Sequence, residues 1–401
     1  MRGGKLVKAF ILSLALVLTV SLGICRAEVG VTDDEIKVGG IMDLSGPIAF
    51  LGQGVREGAM LYFKYINDQG GVFGRKINYL TEDDGYQSPR AVQACKKLVE
   101  RDQVFCLFGV VGSAQVYAMY PFLEARGVPV ITPATQNRDM AVPPKKYLFL
   151  ADTTYTAQGK LAVEWLVEDK GIKAPKIAVL YQDDAPGHDW RRGVQIACKH
   201  FNLEPLDLPY KRGAVDFSSQ IAKCKDSGIT HILMWTLVRE PAIVLGEAKR
   251  LEYKPTVITA NPSISAKVLE LAGDAVDYVD GFYATNIMFD PDTEPTPAYE
   301  GFKANIAKFN MGNADDYYCV YGYQAASTFV EGLKRAGKDL TREGLIKALE
   351  TFDNFDNGML APITWGPDRR GGGNSVKIFQ AQGGKWRTIM KDWRVSKIAE
   401  E

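Results

Sequence analysis

One unit recurs along this chain: a short β-branched or apolar run, a turn, and then an amphipathic stretch with helical spacing. Residues 36–42, 77–82, 104–110, 128–131, 176–182, 231–235 and 256–260 read as strands. Residues 88–101 and 155–170 read as helices between them, the first with Ser88 as N-cap and Pro89 in its first turn. Strands that alternate with helices build a parallel sheet covered on both faces. The series starts twice, at "IKVGGIMDLSG" and again at "KIAVLYQDDAPG", each an apolar strand that runs into an Asp-containing loop before a helix. The expected fold is therefore α/β, with two doubly wound, Rossmann-like lobes.

Residues 1–27 carry a different pattern. Arg2, Lys5 and Lys8 precede the uncharged run "AFILSLALVLTVSLGIC" and a small-residue site around Ala27, which reads as a secretory signal peptide. Nothing later is long and apolar enough to stop transfer, so the mature chain is expected outside the cytoplasm, in the periplasm. Cys25 raises the alternative of a lipid anchor, but Ile24 before it is larger than such cleavage sites usually take, so a free chain is expected.

Lys+Arg and Asp+Glu both number 48, and no basic block stands out, which argues against nucleic acid or an anionic membrane surface as partner. A small-molecule ligand and a monomeric chain are expected instead. Enzyme chemistry finds little support. His188, His200 and His231 have no metal-binding spacing, no C-x-x-C pair exists, and "VGSAQ" lacks the second glycine of a nucleophile elbow. The adjacent Asp183 and Asp184 read as turn residues rather than an acid/base pair. The glycines Gly52, Gly54 and Gly58 nearly match the dinucleotide fingerprint, yet the last interval is one residue too long, so no cofactor is expected.

Outside the cytoplasm cysteines can pair. Cys95 and Cys106 lie in a helix and its following strand, and Cys198 and Cys224 in successive helical segments, so two disulfides are expected with Cys319 free. Buried thiols acting as small apolar groups are the alternative.

Ligands of doubly wound sheets bind outside the carboxyl ends of the strands. The loops at residues 43–53, 83–88, 111–115, 132–137, 182–189 and 261–265 hold that position. Ser113 stands where a strand gives way to a helix, an arrangement suited to a carboxylate, and it serves equally well as a plain helix cap. Thr135, in "ITPATQN", offers a second hydroxyl.

Four stretches together resemble one family, the periplasmic solute-binding proteins of branched-chain amino acid ABC importers. They are "IKVGGIMDLSGPIAFLGQGVREGAMLYFKYINDQGGVFGRKI", "GVVGSAQVYAMYPFLEARGVPVITPAT", "KIAVLYQDDAPGHDWRRG" and "SAKVLELAGDAVDYVDGFYAT". The resemblance implies a type I periplasmic binding protein that closes on its ligand and delivers it to membrane permease subunits. It implies that Ser113, Ala134 and Thr135 hold a ligand carboxylate, that residues 45–52 with Phe50 and Leu51 wall the cleft, and that Tyr155 faces it. It implies lobe crossings near Ala151, Ala284 and Leu360. The N-lobe is then 28–151 plus 284–360, and the C-lobe 152–283 plus 361–401.

The chain departs from the family where a C-lobe acid faces the ligand ammonium. Asn261 stands there, and residues 255–269 contain no Asp or Glu. Asp43, Asp152, Asp183 and Asp184 remain to balance an ammonium, and Pro186 replaces a family tyrosine. A branched-chain or related amino acid is the expected ligand. The alternatives are an aromatic or aliphatic carboxylic acid lacking an amine, and an extracellular sensing module for a membrane receptor.

Overall fold

The computed structural model describes residues 28–390 and 392–399; the expected signal peptide at 1–27, including Cys25, lies outside them. No described helix is long and apolar enough to cross a membrane.

The alternating pattern yields two sheets. The first contains β1 (Glu35–Met42), β2 (Lys76–Asp83), β3 (Cys106–Phe108), β4 (Val130–Ile131) and β5 (Leu148–Phe149), all parallel, in the order β2-β1-β3-β4-β5. The second contains β6 (Ile177–Gln182), β7 (Leu206–Tyr210), β8 (His231–Trp235), β9 (Thr256–Thr259), β10 (Phe282–Asn286), β11 (Ser375–Gln382) and β12 (Lys385–Thr388), in the order β12-β11-β10-β9-β8-β6-β7. A short β13 (Arg394–Val395) pairs with β11. Strands β6 to β10 are parallel, and β11 runs antiparallel to β10. The runs read as strands fall on β1 to β4, β6, β8 and β9. The short β5 and the amphipathic β7, with Asp207 and Pro209, carry weaker signals.

The helix at 88–101 forms as Ser88–Lys96 followed by a π-helical turn, Lys97–Arg101. Ser88 is its first residue rather than its cap, which is Gln87. The helix Tyr155–Glu164 ends in a similar turn, Trp165–Asp169, and is capped by the Thr154 hydroxyl, which accepts from the Ala157 N–H.

The chain leaves the first sheet after β5, and the helix Tyr155–Glu164 packs on Ala185–His200 of the second lobe. Ala284 lies inside β10, so the return crossing follows Asn286 rather than falling at 284. Bridges Met288–Leu360 and Leu150–Gly371 lay the three crossings beside one another. Strands β11 to β13 then rejoin the second sheet.

Glycines Gly52 and Gly58 have a packing role. A Cβ on Gly52 would collide with the Asp43 carbonyl oxygen, and one on Gly58 with that of Cys319 on the facing helix Tyr317–Ala336. Gly322 of that helix meets the Val55 carbonyl in return. The second lobe repeats the device: Gly187 lies against the Gln182 carbonyl, Gly193 against that of Thr156, and Gly159 against that of Trp190.

All five described cysteines are buried free thiols, which corrects both expected disulfides. Cys95 packs with Leu98, Leu107 and Val116, whereas Cys106 packs in the layer of Phe63 and Phe108, so the first sheet stands between them. The helix of Cys198 connects β6 outward to β7, and that of Cys224 (Ser218–Asp226) returns from β7 to β8. Right-handed crossovers in opposite directions put those helices on opposite faces of the second sheet.

Candidate ligand-binding site

The strand ends of both lobes face one cavity with about 550 Å³ of atom-free space, part of it open to solvent. The first lobe supplies Ile48, Leu51, Val55, Tyr86, residues 111–113, Ala134 and Gln136, and Tyr317, Tyr318 and Tyr321 from the helix Tyr317–Ala336. The second lobe supplies Tyr155, Pro186, Trp235, Leu237, Asn261 and Pro262. None of these described lining residues carries a charge.

Ser113 opens the helix Ser113–Glu124 directly after Gly112, whose φ of 104° suits glycine and disfavours any side chain. The Ser113 hydroxyl is hydrogen-bonded to that of Thr135. The first-turn N–H groups, which have no intrahelical acceptor, therefore lie at the cavity wall with a hydroxyl beside them. Ala134 lines the cavity, and the buried Thr135 acts from behind through Ser113.

A buried polar group backs this wall. The Tyr321 hydroxyl and the Gln136 amide both donate to Asp152 Oδ2, at 2.6 and 2.9 Å. Asp152 is 1% exposed, and burial pushes its carboxyl up to about 6 against the lowering effect of those two bonds. Asp152 Oδ1 and Gln136 Oε1 have no hydrogen-bond partner among the described residues.

On the second-lobe side, Tyr155 sets its ring edge-on to Trp235, centroids 5.5 Å apart. Asn261 opens a short 3-10 turn, with its N–H 3.4 Å from Gln158 Oε1. Asn261 Oδ1 and Trp235 Nε1 are buried without partners among the described residues.

Of the residues singled out in the sequence, Leu51, Ser113, Ala134, Tyr155 and Asn261 line the cavity, and Phe50 stands one layer back, edge-on to Tyr318 at 5.4 Å. Asp183 does not reach it. Its side chain is 56% exposed and pairs with His188 at 2.9 Å, because alternation at the end of β6 turns Gln182 inward and the next residue out. Asp43 is held in its loop by the N–H groups of Ser45, Gly46 and Ile48, and Asp184 is paired with Arg212. Trp190 is core. The sequence reading missed the three tyrosines of "YYCVY", whose close spacing at a helix start was the available signal.

The lobes meet directly around the cavity. The Tyr318 hydroxyl donates to the Pro262 carbonyl at 2.7 Å, and the Asn137 amide to the Ala185 carbonyl at 2.8 Å. Asp189 of the second lobe accepts from the Arg138 N–H of the first at 3.0 Å.

Similar proteins share this architecture. "Leu/Ile/Val-binding protein homolog 8" of Brucella suis biovar 1 is 24% identical over 389 residues, covering 93% of this chain and 95% of the relative. The solved fatty acid ABC transporter substrate-binding protein from Thermomonospora curvata superposes with a TM-score of 0.79 at 27% identity, covering 93% of this chain and 95% of that one. A branched chain amino acid ABC transporter protein from Thermus thermophilus, solved with bound valine, has a TM-score of 0.82 at 20% identity over 92% of this chain and 98% of that one. The profile described as "Periplasmic binding protein" matches residues 35–385, so with its two lobes, interlobe cavity and side-by-side crossings this chain belongs to the periplasmic binding protein family, whose members bind substrates rather than transform them.

Proposed function

We propose that this protein is the extracytoplasmic solute-binding receptor of an ABC importer, capturing an apolar monocarboxylic acid without an amine and presenting it to membrane permease subunits. The observation that carries the reading is the cavity wall. A helix N-terminus with the Ser113 hydroxyl suits a carboxylate, the rest of the described lining is mainly aliphatic or aromatic with the neutral amides of Gln136 and Asn261, and no charged side chain lines it. An ammonium desolvated there would lack the first-layer carboxylate that such a cation needs. The ligand touches both walls only when the lobes close, so binding shifts the population toward the closed form. The Thermomonospora curvata relative, described as a fatty acid transporter component, supports the same class.

A second reading, a branched-chain amino acid, is favoured by the unpartnered acceptors Gln136 Oε1, Asn261 Oδ1 and Asp152 Oδ1. Titration calorimetry with leucine and with 4-methylpentanoate separates the two. The first reading expects the deaminated acid to bind as well or better. If removing the amine costs several kcal/mol, the amino acid is the ligand.

A further inference from the structure

The ligand cavity does not end at its own walls. A groove with about 530 Å³ of atom-free space adjoins it at the mouth of the cleft, and Ile48, Tyr86 and Leu237 line both. The groove also joins the two lobes, since Pro47 comes from the first and Gln182, Arg212 and Val238 from the second.

The polar side chains of Gln182, Arg212, Arg239 and Glu240 line the groove, and of these Gln182 alone leaves a buried atom unpartnered among the described residues. Gln182 is 1% exposed and ends β6. Its amide nitrogen donates to Asp184 Oδ2 at 2.5 Å, and a carboxylate only accepts, so the amide orientation is fixed and Oε1 faces elsewhere. That Oε1 has no partner among the described residues. The nearby cation is already engaged: Arg212 pairs with Asp184 at 2.6 Å and lies over the Tyr86 ring at 4.3 Å. The arginine therefore spans the mouth from one lobe to the other.

We propose that the mouth groove is a second subsite of the same ligand site, taking the far end of an elongated acid whose terminal hydroxyl donates to Gln182 Oε1. The inference rests on the monocarboxylate reading above. The carboxylate lies at Ser113, the aliphatic body crosses the apolar cavity past Ile48 and Leu237, and the distal hydroxyl satisfies the buried acceptor. A hydroxyl taken out of water without an acceptor loses its water and gains nothing, so the unpartnered Gln182 Oε1 selects for it.

The test is titration calorimetry of the mature chain with unsubstituted and terminally hydroxylated straight-chain acids of six to twelve carbons. At one length in the series the hydroxy acid is expected to bind about fivefold or more tighter than its parent acid. Gln182→Leu should abolish or reverse that preference, with Gln182→Met as the second variant if the first does not fold. The proposal is overturned if no hydroxy acid exceeds its parent at any length, or if the gain survives both substitutions. Parent acids that bind without a hydroxyl gain sink this inference alone; a protein that binds no carboxylate in the series sinks the monocarboxylate reading with it.

Discussion

The leading helix of each lobe rests on the same device, and the loop in front of each differs. Gly52 and Gly58 in one, and Gly187 and Gly193 in the other, are spaced alike and press against backbone carbonyls in the same order. The facing glycines Gly322 and Gly159 meet the carbonyls of Val55 and Trp190, which stand at matching places between the paired glycines. The loop before the first helix is internally satisfied, since Asp43 accepts from three N–H groups. The loop before the second leaves Gln182 Oε1 and Asp184 Oδ1 without partners among the described residues. The backbone scaffold is shared between the lobes, and the loops in front of the two helices differ in what they leave unpaired, since a loop residue changes without moving the helix behind it.

The largest expected effect tests the shared scaffold. Gly58→Val and Gly193→Val each force a side chain onto a backbone carbonyl of the facing helix and should each destabilise by about 3 kcal/mol or more. Urea unfolding reads this, and a cost below about 1 kcal/mol at either glycine would break the equivalence of the lobes.

Next comes the chemistry of the walls. Ser113→Ala removes a hydroxyl from the anion end and should weaken carboxylate binding by about 1.5–3 kcal/mol in calorimetry with little change in unfolding. Unchanged affinity would reduce Ser113 to a partner of Thr135.

A smaller effect follows pH. Asp152 holds its proton up to about 6 in the folded chain, above the ordinary carboxyl value. Its raised value means that the folded form is favoured most at low pH on this group's account. That contribution is lost as pH rises from about 4 through about 6. Asp152→Asn should therefore gain about 1–2 kcal/mol over wild type at pH 7.5 and almost nothing at pH 4, read from urea melts at both values. A constant difference across pH would place the strain elsewhere. The smallest effect belongs to the exposed Asp183, where Asp183→Asn should leave ligand affinity within about 0.3 kcal/mol.

The two lobes were legible because apolar runs, turns and amphipathic stretches alternate without a break, and the place of Ser113 on the cavity wall because it stands at a strand-to-helix turn. Tyr317, Tyr318 and Tyr321 were missed, because they reach the cavity from a helix that follows the second crossing, and their close spacing does not by itself say that a distant helix returns to the cleft. The cysteine pairs were misread for a related reason. Neighbours in sequence read as neighbours in space, whereas sheet faces and crossover direction separate Cys95 from Cys106 and Cys198 from Cys224.

Those buried sulfurs have a practical consequence. Burial pushes the Cys95, Cys198, Cys224 and Cys319 thiols up to about 12, so none offers a thiolate to an alkylating reagent while its lobe stays folded. Cys95, Cys106 and Cys319 belong to one lobe and Cys198 and Cys224 to the other, which gives each half its own chemical clock. Peptide-resolved alkylation under native conditions then times the opening of the two halves separately, without a label or a mutation, and shows whether a bound ligand slows both clocks or only one.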